Sequence, residues 1–322
     1  MPRVICLGEL LVDFVSTEPD VPLSELPGFV GAAGGAPANV AVGLAKLGLS
    51  AGFIGKVGAD PFGDFLRQNL AEPGVDTSHL LTAADARTTL AFIATRSDGR
   101  KDICFYRHPG ADMLLAPEDI DPDYIRSAQA LHIGSVSLSR SPAREATVRA
   151  VDIAREAGLL ISFDPNWRPT LWDDPAEGHH WIWELIPKAH VVKLAEEEWE
   201  FVAGAGSLEE GSRRILEAGP ELVIVTRGPE GCYFDDGVSR EHVPGFEVEV
   251  VDTLGAGDAF VAAALSRLLE KPRGQRLPRE ALREMALWAN AAGALATLNP
   301  GVIPALPAEA EVEEFLETHR PR

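Results

Sequence analysis

Residues 250–264, VVDTLGAGDAFVAAA, are the ones whose types and spacing could do chemistry. An apolar, β-branched start passes through Gly255, Ala256 and Gly257, then runs from Asp258 into Ala259, Phe260 and further alanines. The glycines leave the backbone free to turn tightly and to approach a ligand closely. A glycine-rich turn that opens a helix also leaves N–H groups unpaired at the positive end of the helix dipole, which makes an anion site. Asp258 is the one carboxylate there. A lone Gly-Asp before a helix is ordinarily a cap or first-turn acid. An acid set against a phosphate, however, repels it unless it has a job. The job that fits is accepting a proton from a hydroxyl that attacks phosphorus.

A second such segment is GGAPANVAVGLAKLGL at 34–49. Gly34 and Gly35 predict a turn, Pro37 suits a first helical turn, and 38–47 has helical periodicity. Asn39 falls in that first turn, where its amide could cap the helix or face a ligand; the paired glycines favour the ligand. Asp13 follows the apolar run 4–7, beyond the carboxyl end of a first strand, where open α/β sheets bind ligands; a solvated loop acid is the equal alternative. Arg107 and Arg168 each end a strand-like run on that same side, although either alone is more often a surface charge. Glu196, Glu197 and Glu198 open a helix, where acids also simply complement the dipole.

The elements that must position these groups alternate. Strands are expected at 4–7, 51–57, 130–133, 159–163, 191–194, 222–226 and 232–234, with helices at 38–47, 60–70, 143–157, from 196 and over 279–298 and 308–318. That alternation predicts an α/β fold with a mainly parallel central sheet covered by helices on both faces. The region 15–30 carries three prolines and reads as extended or irregular. Residues 87–107 are two strand-like runs around Ser97, Asp98 and Gly99, a hairpin signal that predicts a small β lid. No repeat or dividing linker is visible, so residues 1–322 are read as one domain with the lid inserted at about 12–32 and 87–110.

The chain has 322 residues and a formal charge of −20. That balance argues against nucleic acid and anionic membranes as partners. It also requires a bound phosphate to be held by local backbone, a few arginines and a metal. Cys6, Cys104 and Cys232 form no CxxC pair, which fits a reducing cytoplasm. Glu9 and Asp13 interrupt the apolar N-terminus, so no signal peptide is read there. No GxxxxGK[ST] occurs, and no GxGxxG follows the first strand, so neither a P-loop nor a dinucleotide fingerprint is supported.

GGAPANVA at 34–41 and DTLGAGDAF at 252–260 resemble the two signature segments of the ribokinase-like (PfkB) carbohydrate kinases, in order and at the right separation. The lid hairpin, DPNWR at 164–168 and ANAAGALAT at 289–297 extend the resemblance across essentially the whole chain. FYRHPGADMLL from 105, LHIGSVSL from 131, DPNWRPTLW from 164 and GVIPALP from 301 are most similar to the fructokinase branch.

The resemblance implies an ATP-dependent kinase acting on a primary hydroxyl of a small sugar, D-fructose first. It makes Asp258 the general base and gives the N–H groups of Gly255, Ala256 and Gly257 the charge of the transferred phosphoryl. Asp13, Gly34, Gly35 and Asn39 would hold sugar hydroxyls, with Arg107 and Arg168 facing phosphate or substrate. Thr226, Arg227, Gly228, Gly231 and Asn290 would line the nucleotide pocket, a helix-surface amide being a close rival for Asn290. The family's Asn-x-x-Glu pattern for magnesium departs here to Ala195-Glu196-Glu197-Glu198, which leaves Glu198 to act on Mg²⁺ through water. Many relatives also bind a monovalent cation such as K⁺ near the anion site, with Asp252 among its surroundings. An edge-forming lid invites a homodimer. Within the family, 2-keto-3-deoxygluconate, 5-dehydro-2-deoxygluconate and nucleoside kinases are the alternatives; an acid sugar would call on Arg107 and Arg168. A non-catalytic sugar or nucleotide sensor is the alternative of another class, and Asp258 argues against it.

Overall fold

Short apolar runs such as VICL, ALHI and LVIVT form strands buried on both faces, which only a helix-covered parallel sheet provides. A computed structural model describes residues 1–96, 101–204, 206–270 and 275–321. In it the strands are β1 (Val4–Leu7), β2 (Leu11–Ser16), β3 (Phe29–Gly34), β4 (Ala51–Gly58), β5 (Leu80–Ala83), β6 (Leu90–Thr95) and β7 (Lys101–Tyr106). They continue as β8 (Ala130–Ile133), β9 (Leu160–Phe163), β10 (Val191–Ala195), β11 (Leu222–Thr226), β12 (Cys232–Asp235) and β13 (Arg240–Val243). The helices are α1 (Ala36–Lys46), α2 (Pro61–Ala71), α3 (Pro122–Arg126), α4 (Ala143–Glu156) and α5 (Pro175–Leu185). After them come α6 (Glu196–Ala203), α7 (Leu208–Ala218), α8 (Ala256–Leu268), α9 (Arg279–Ala296) and α10 (Glu309–Thr318).

The large sheet runs β13-β12-β11-β10-β9-β8-β1-β4-β5. From β5 to β11 every pairing is parallel, and β12 and β13 close the far edge as an antiparallel pair. Side chains alternate along β1: Val4 and Cys6 join the core under α1, α8 and α9, whereas Ile5 and Leu7 join the core under α4, α5 and α7. The chain leaves β1 towards β4 and β5, then returns to β8 on the other side. The strand order therefore reverses beside β1, and the carboxyl ends of the strands at such a reversal, here β1 and β8, are the usual ligand position in open sheets.

A second sheet, ordered β3-β2-β6-β7, stands at that end. Its centre, β2 and β6, pairs in parallel, and β3 and β7 are antiparallel edges. The expected hairpin is thus present as β6 and β7, though its turn at Ser97, Asp98 and Gly99 lies outside the described residues. Asp13 is corrected from a loop to β2. The region 15–30 is only partly irregular, because its ends belong to β2 and β3. Sequence gave no sign of these strands, since FVGAAG lacks alternation and its glycines depress strand propensity.

Helices α1 and α8, which carry Asn39 and Asp258, pack directly on each other. Small residues make this possible: a Cβ at Gly43 would lie 2.7 Å from the Cβ of Ala262. Gly43→Val should push the two helices apart and cost about 1–3 kcal/mol by overpacking. Thermal melting of the variant checks this, and an unchanged Tm would exclude the close packing.

Candidate active site

Helix α8 begins at Gly255, which has φ 76° and no side chain capping it. A side chain at Gly255 would run into Val302, so glycine is required both for the left-handed turn and for space. No side chain caps the first turn of α8; its Ala256 N–H makes a long 3.5 Å bond to the Thr253 carbonyl, and uncapped amides at a helix start suit an anion. Asp258 follows in that turn, 9% exposed, and its Oδ2 accepts a 2.8 Å hydrogen bond from Asn39 Nδ2. The amide of Asn39 therefore does not cap α1; it joins the two glycine-bearing segments across 219 residues. Burial raises the Asp258 pKa to about 6. The bond from Asn39 opposes that shift, Asp164 adds to it, and the positive charges of Lys193 and Arg168 oppose it further.

The other wall comes from the start of α1 and the first strands. Asp13 carries its carboxylate over Gly34, where any side chain would collide with it. Gly35 caps α1 with φ 113°, and a Cβ there would strike the carbonyl of Glu9. Glu9, 4% exposed, accepts a 3.0 Å bond from Ala36 N–H through Oε1. Burial lifts its pKa to about 7. Glu9 thereby fixes the entry to α1 from below. Asp13 meets Gly34, Gly35 opens α1, and Asn39 in the first turn of α1 meets Asp258.

The third side is set by the carboxyl ends of β9 and β10. Asp164 Oδ2 accepts a 3.0 Å bond from Lys193 Nζ, and both groups are nearly inaccessible. Glu198 accepts backbone N–H groups from Trp167 and, at 2.9 Å, from Ala195. Burial and then the charge of Asp164 raise its pKa. Arg168 stands near enough for its charge to act on Asp258, while its Nη1 donates to Trp167 O at 3.1 Å. Lys193 and Glu9 were not singled out in the sequence. A lysine inside VVKLA, where a buried strand should be apolar, was the available signal for the first.

Other expected residues are placed differently. Arg107 is turned inward: it is 3% exposed, pairs with Asp112 at 2.7 Å and donates to Ser139 Oγ at 2.8 Å. A guanidinium so buried must spend its donors internally. Thr226, Arg227, Gly228 and Gly231 cluster at the exit of β11. There Arg227 pairs with Glu196 at 2.8 Å and Glu230 at 2.7 Å, and Gly231 lets the backbone pass Val243 and Gly245. Asn290 is buried and donates at 3.1 Å to the carbonyls of Val243 and Pro244. This corrects the surface-amide alternative, because α9 turns that residue inward. Asp252 accepts N–H bonds from Leu254 at 3.0 Å and Gly301 at 3.2 Å, bracing the approach to the anion turn.

Among the described residues no three His, Cys, Asp or Glu side chains are grouped to ligate a metal directly. Asp164 and Glu198 nevertheless share one lysine, so a water-bound divalent cation beside them would relieve a repulsion that already raises the Glu198 pKa.

The family description "pfkB family carbohydrate kinase" matches residues 1–309. Over 315 residues, 98% of this chain and 96% of the relative, the sequence is 42% identical to probable fructokinase-4 of Arabidopsis thaliana. The structure of a fructokinase from Xylella fastidiosa with bound ATP superposes with a TM-score of 0.87 at 32% identity, covering 98% of this chain and 99% of that one. A fructokinase from Vibrio cholerae, in a form with fructose, ADP and calcium ion bound, also gives 0.87, at 36% identity and the same coverage.

Asp258→Asn should stabilise the protein at neutral pH. A carboxyl whose folded pKa is about 6, above its ordinary 3.8, weakens the fold as pH rises between those values. The variant should gain about 1–3 kcal/mol above pH 6 and nothing below pH ~4. Melting curves across that range check it, and a gain independent of pH would contradict the buried charge.

Proposed function

The chain belongs to the pfkB family of carbohydrate kinases, and from that premise we propose that it transfers the γ-phosphoryl group of ATP to a primary hydroxyl of D-fructose. The observation that carries the reading is the Asn39–Asp258 hydrogen bond, which sets a buried acid of raised pKa at the mouth of an uncapped glycine turn. In this reading Asp258 takes the hydroxyl proton, and the amides of Gly255, Ala256 and Gly257 receive the charge of the phosphoryl group. Asp13, Gly34, Gly35 and Asn39 hold the other hydroxyls, and Arg168 faces the phosphate.

The relatives' names favour fructose. The commitment of Arg107 to Asp112 supports that choice, since an acid sugar would lose one of the two cations expected for its carboxylate. The exit of β11, with Thr226, Arg227, Gly228 and Gly231, and Asn290 on α9 would lie along the nucleotide. Bound Mg²⁺ would neutralise phosphate charge, with Glu198 holding its water shell. A monovalent cation, K⁺ here, belongs near Asp252 and the anion turn.

The small sheet serves as the lid of a single domain, excluding water on closure. Its edge strands β3 and β7 are suited to pairing with a second copy, so a homodimer is part of the proposal. No described helix is long and apolar enough to cross a membrane. A cytoplasmic location would suit the free cysteines.

A sugar panel with Mg²⁺ and ATP tests the substrate; preference for 2-keto-3-deoxygluconate over fructose would displace fructose and leave the mechanism standing. Asp258→Asn should lower kcat by about 10²–10⁴ if proton transfer is lost. Because the base works only when ionised, wild-type kcat/KM should fall as pH drops through about 6. Asn39→Leu, by removing a bond that favours the ionised acid, should move that limb to higher pH. An Asp258→Asn enzyme of near-normal rate would refute the base.

A further inference from the structure

Lys193 is charged in a strand whose other core positions, Val191, Val192 and Leu194, are buried and apolar. It is itself 7% exposed. Burial works against its charge, yet the carboxylates of Asp164, Glu198 and Asp258 hold its pKa above the ordinary lysine value. Among the described residues the hydrogen bond it makes is to Asp164 Oδ2, at 3.0 Å. An ammonium has three donors, so two remain for a ligand. They are well placed for one: a Cβ built on Gly257 would lie 3.3 Å from Nζ. The ammonium therefore stands against the backbone of the anion turn, and the absence of a side chain at Gly257 keeps the space between them open. A lysine present only to neutralise Asp164 has no need of that approach.

We infer that Lys193 is a catalytic residue whose ammonium, held by Asp164, meets a peripheral oxygen of the phosphoryl group as it passes from nucleotide to sugar. The inference rests on the kinase reading and deepens it. In the step, the alcohol oxygen forms its bond to phosphorus while the bond from phosphorus to the bridging oxygen of the departing diphosphate breaks. The alcohol proton goes to Asp258. Lys193 gives up no proton; it stabilises the phosphoryl oxygens by hydrogen bonding and charge. Asp164 is a positioning residue that aims Nζ. The cation also offsets a general shortage of positive charge in a chain of net charge −20.

The test compares the wild type with Lys193→Met, Lys193→Arg and the double variant Asp164→Asn/Lys193→Met. Removing the lysine alone leaves three buried acids, Asp164, Glu198 and Asp258, without their shared cation and endangers the fold. The double variant removes one acid with it, so it should melt near the wild type. Both methionine variants should lose about 10²–10³ in kcat, with fructose and ADP affinities within about threefold of wild type and Lys193→Arg intermediate. Calorimetry with ADP, fructose and aluminium fluoride, a mimic of the phosphoryl in flight, should show weakened binding in the methionine variants by a similar factor.

A double variant that recovers wild-type kcat, or that binds the aluminium fluoride complex as tightly as wild type, would overturn the inference and reduce Lys193 to a counter-charge. Wild-type turnover in the same assay tests the substrate separately. If another sugar is phosphorylated instead, fructose falls and the same ratios are measured with that sugar. A wild type inactive on every sugar overturns the kinase reading, and the aluminium fluoride comparison, made with ADP alone, still decides the lysine.

Discussion

One hydrogen bond, from the amide of Asn39 to the carboxylate of Asp258, constrains everything around it. A buried acid at the start of a helix that should attract anions is held by the dipole but isolated from water. Left alone it would protonate or swing away. The Asn39 amide favours its ionised form and fixes its direction, and in doing so requires α1 and α8 to lie side by side. That in turn requires the small residues where they touch. The glycines at both helix starts belong to the same close approach of α1 and α8, and the bond works against the rise that burial imposes on the Asp258 pKa.

The electrostatics follow a similar logic of few and placed charges. Asp164, Glu198 and Asp258 are buried acids in one neighbourhood, with Lys193 inside it and Arg168 at its border. In a protein of net charge −20 a phosphate gains nothing from the general field. In the proposed reaction its affinity would come from amides at the start of α8, from these two cations and from a metal. The arrangement also separates roles. Asp164 stays bonded to Lys193, Glu198 to two backbone amides, and Asp258 alone has its raised pKa offset by an amide of the opposite wall.

Arg107 illustrates how burial reassigns a residue. It ends β7 on the expected side, as the position of a substrate-facing arginine requires, yet its guanidinium is spent on Asp112 and Ser139. An isolated cation at 3% exposure would be far costlier than a paired one. Asn290 shows the same in reverse: α9 turns it inward, where its amide satisfies two carbonyls beyond β13.

Sequence alone determined the α/β alternation, the two glycine-bearing helix starts and the candidate acid, because these depend on local periodicity and on backbone freedom over a few residues. Tertiary structure decided what each side chain does with its charge. It set Asn39 against Asp258, put Asp13 into a second sheet over Gly34, closed Arg107 into an internal pair and brought Lys193 to Gly257. Such pairings join residues as far as 219 positions apart. Their energies are set by how deeply both partners are buried, and neither distance nor burial is written in the local pattern.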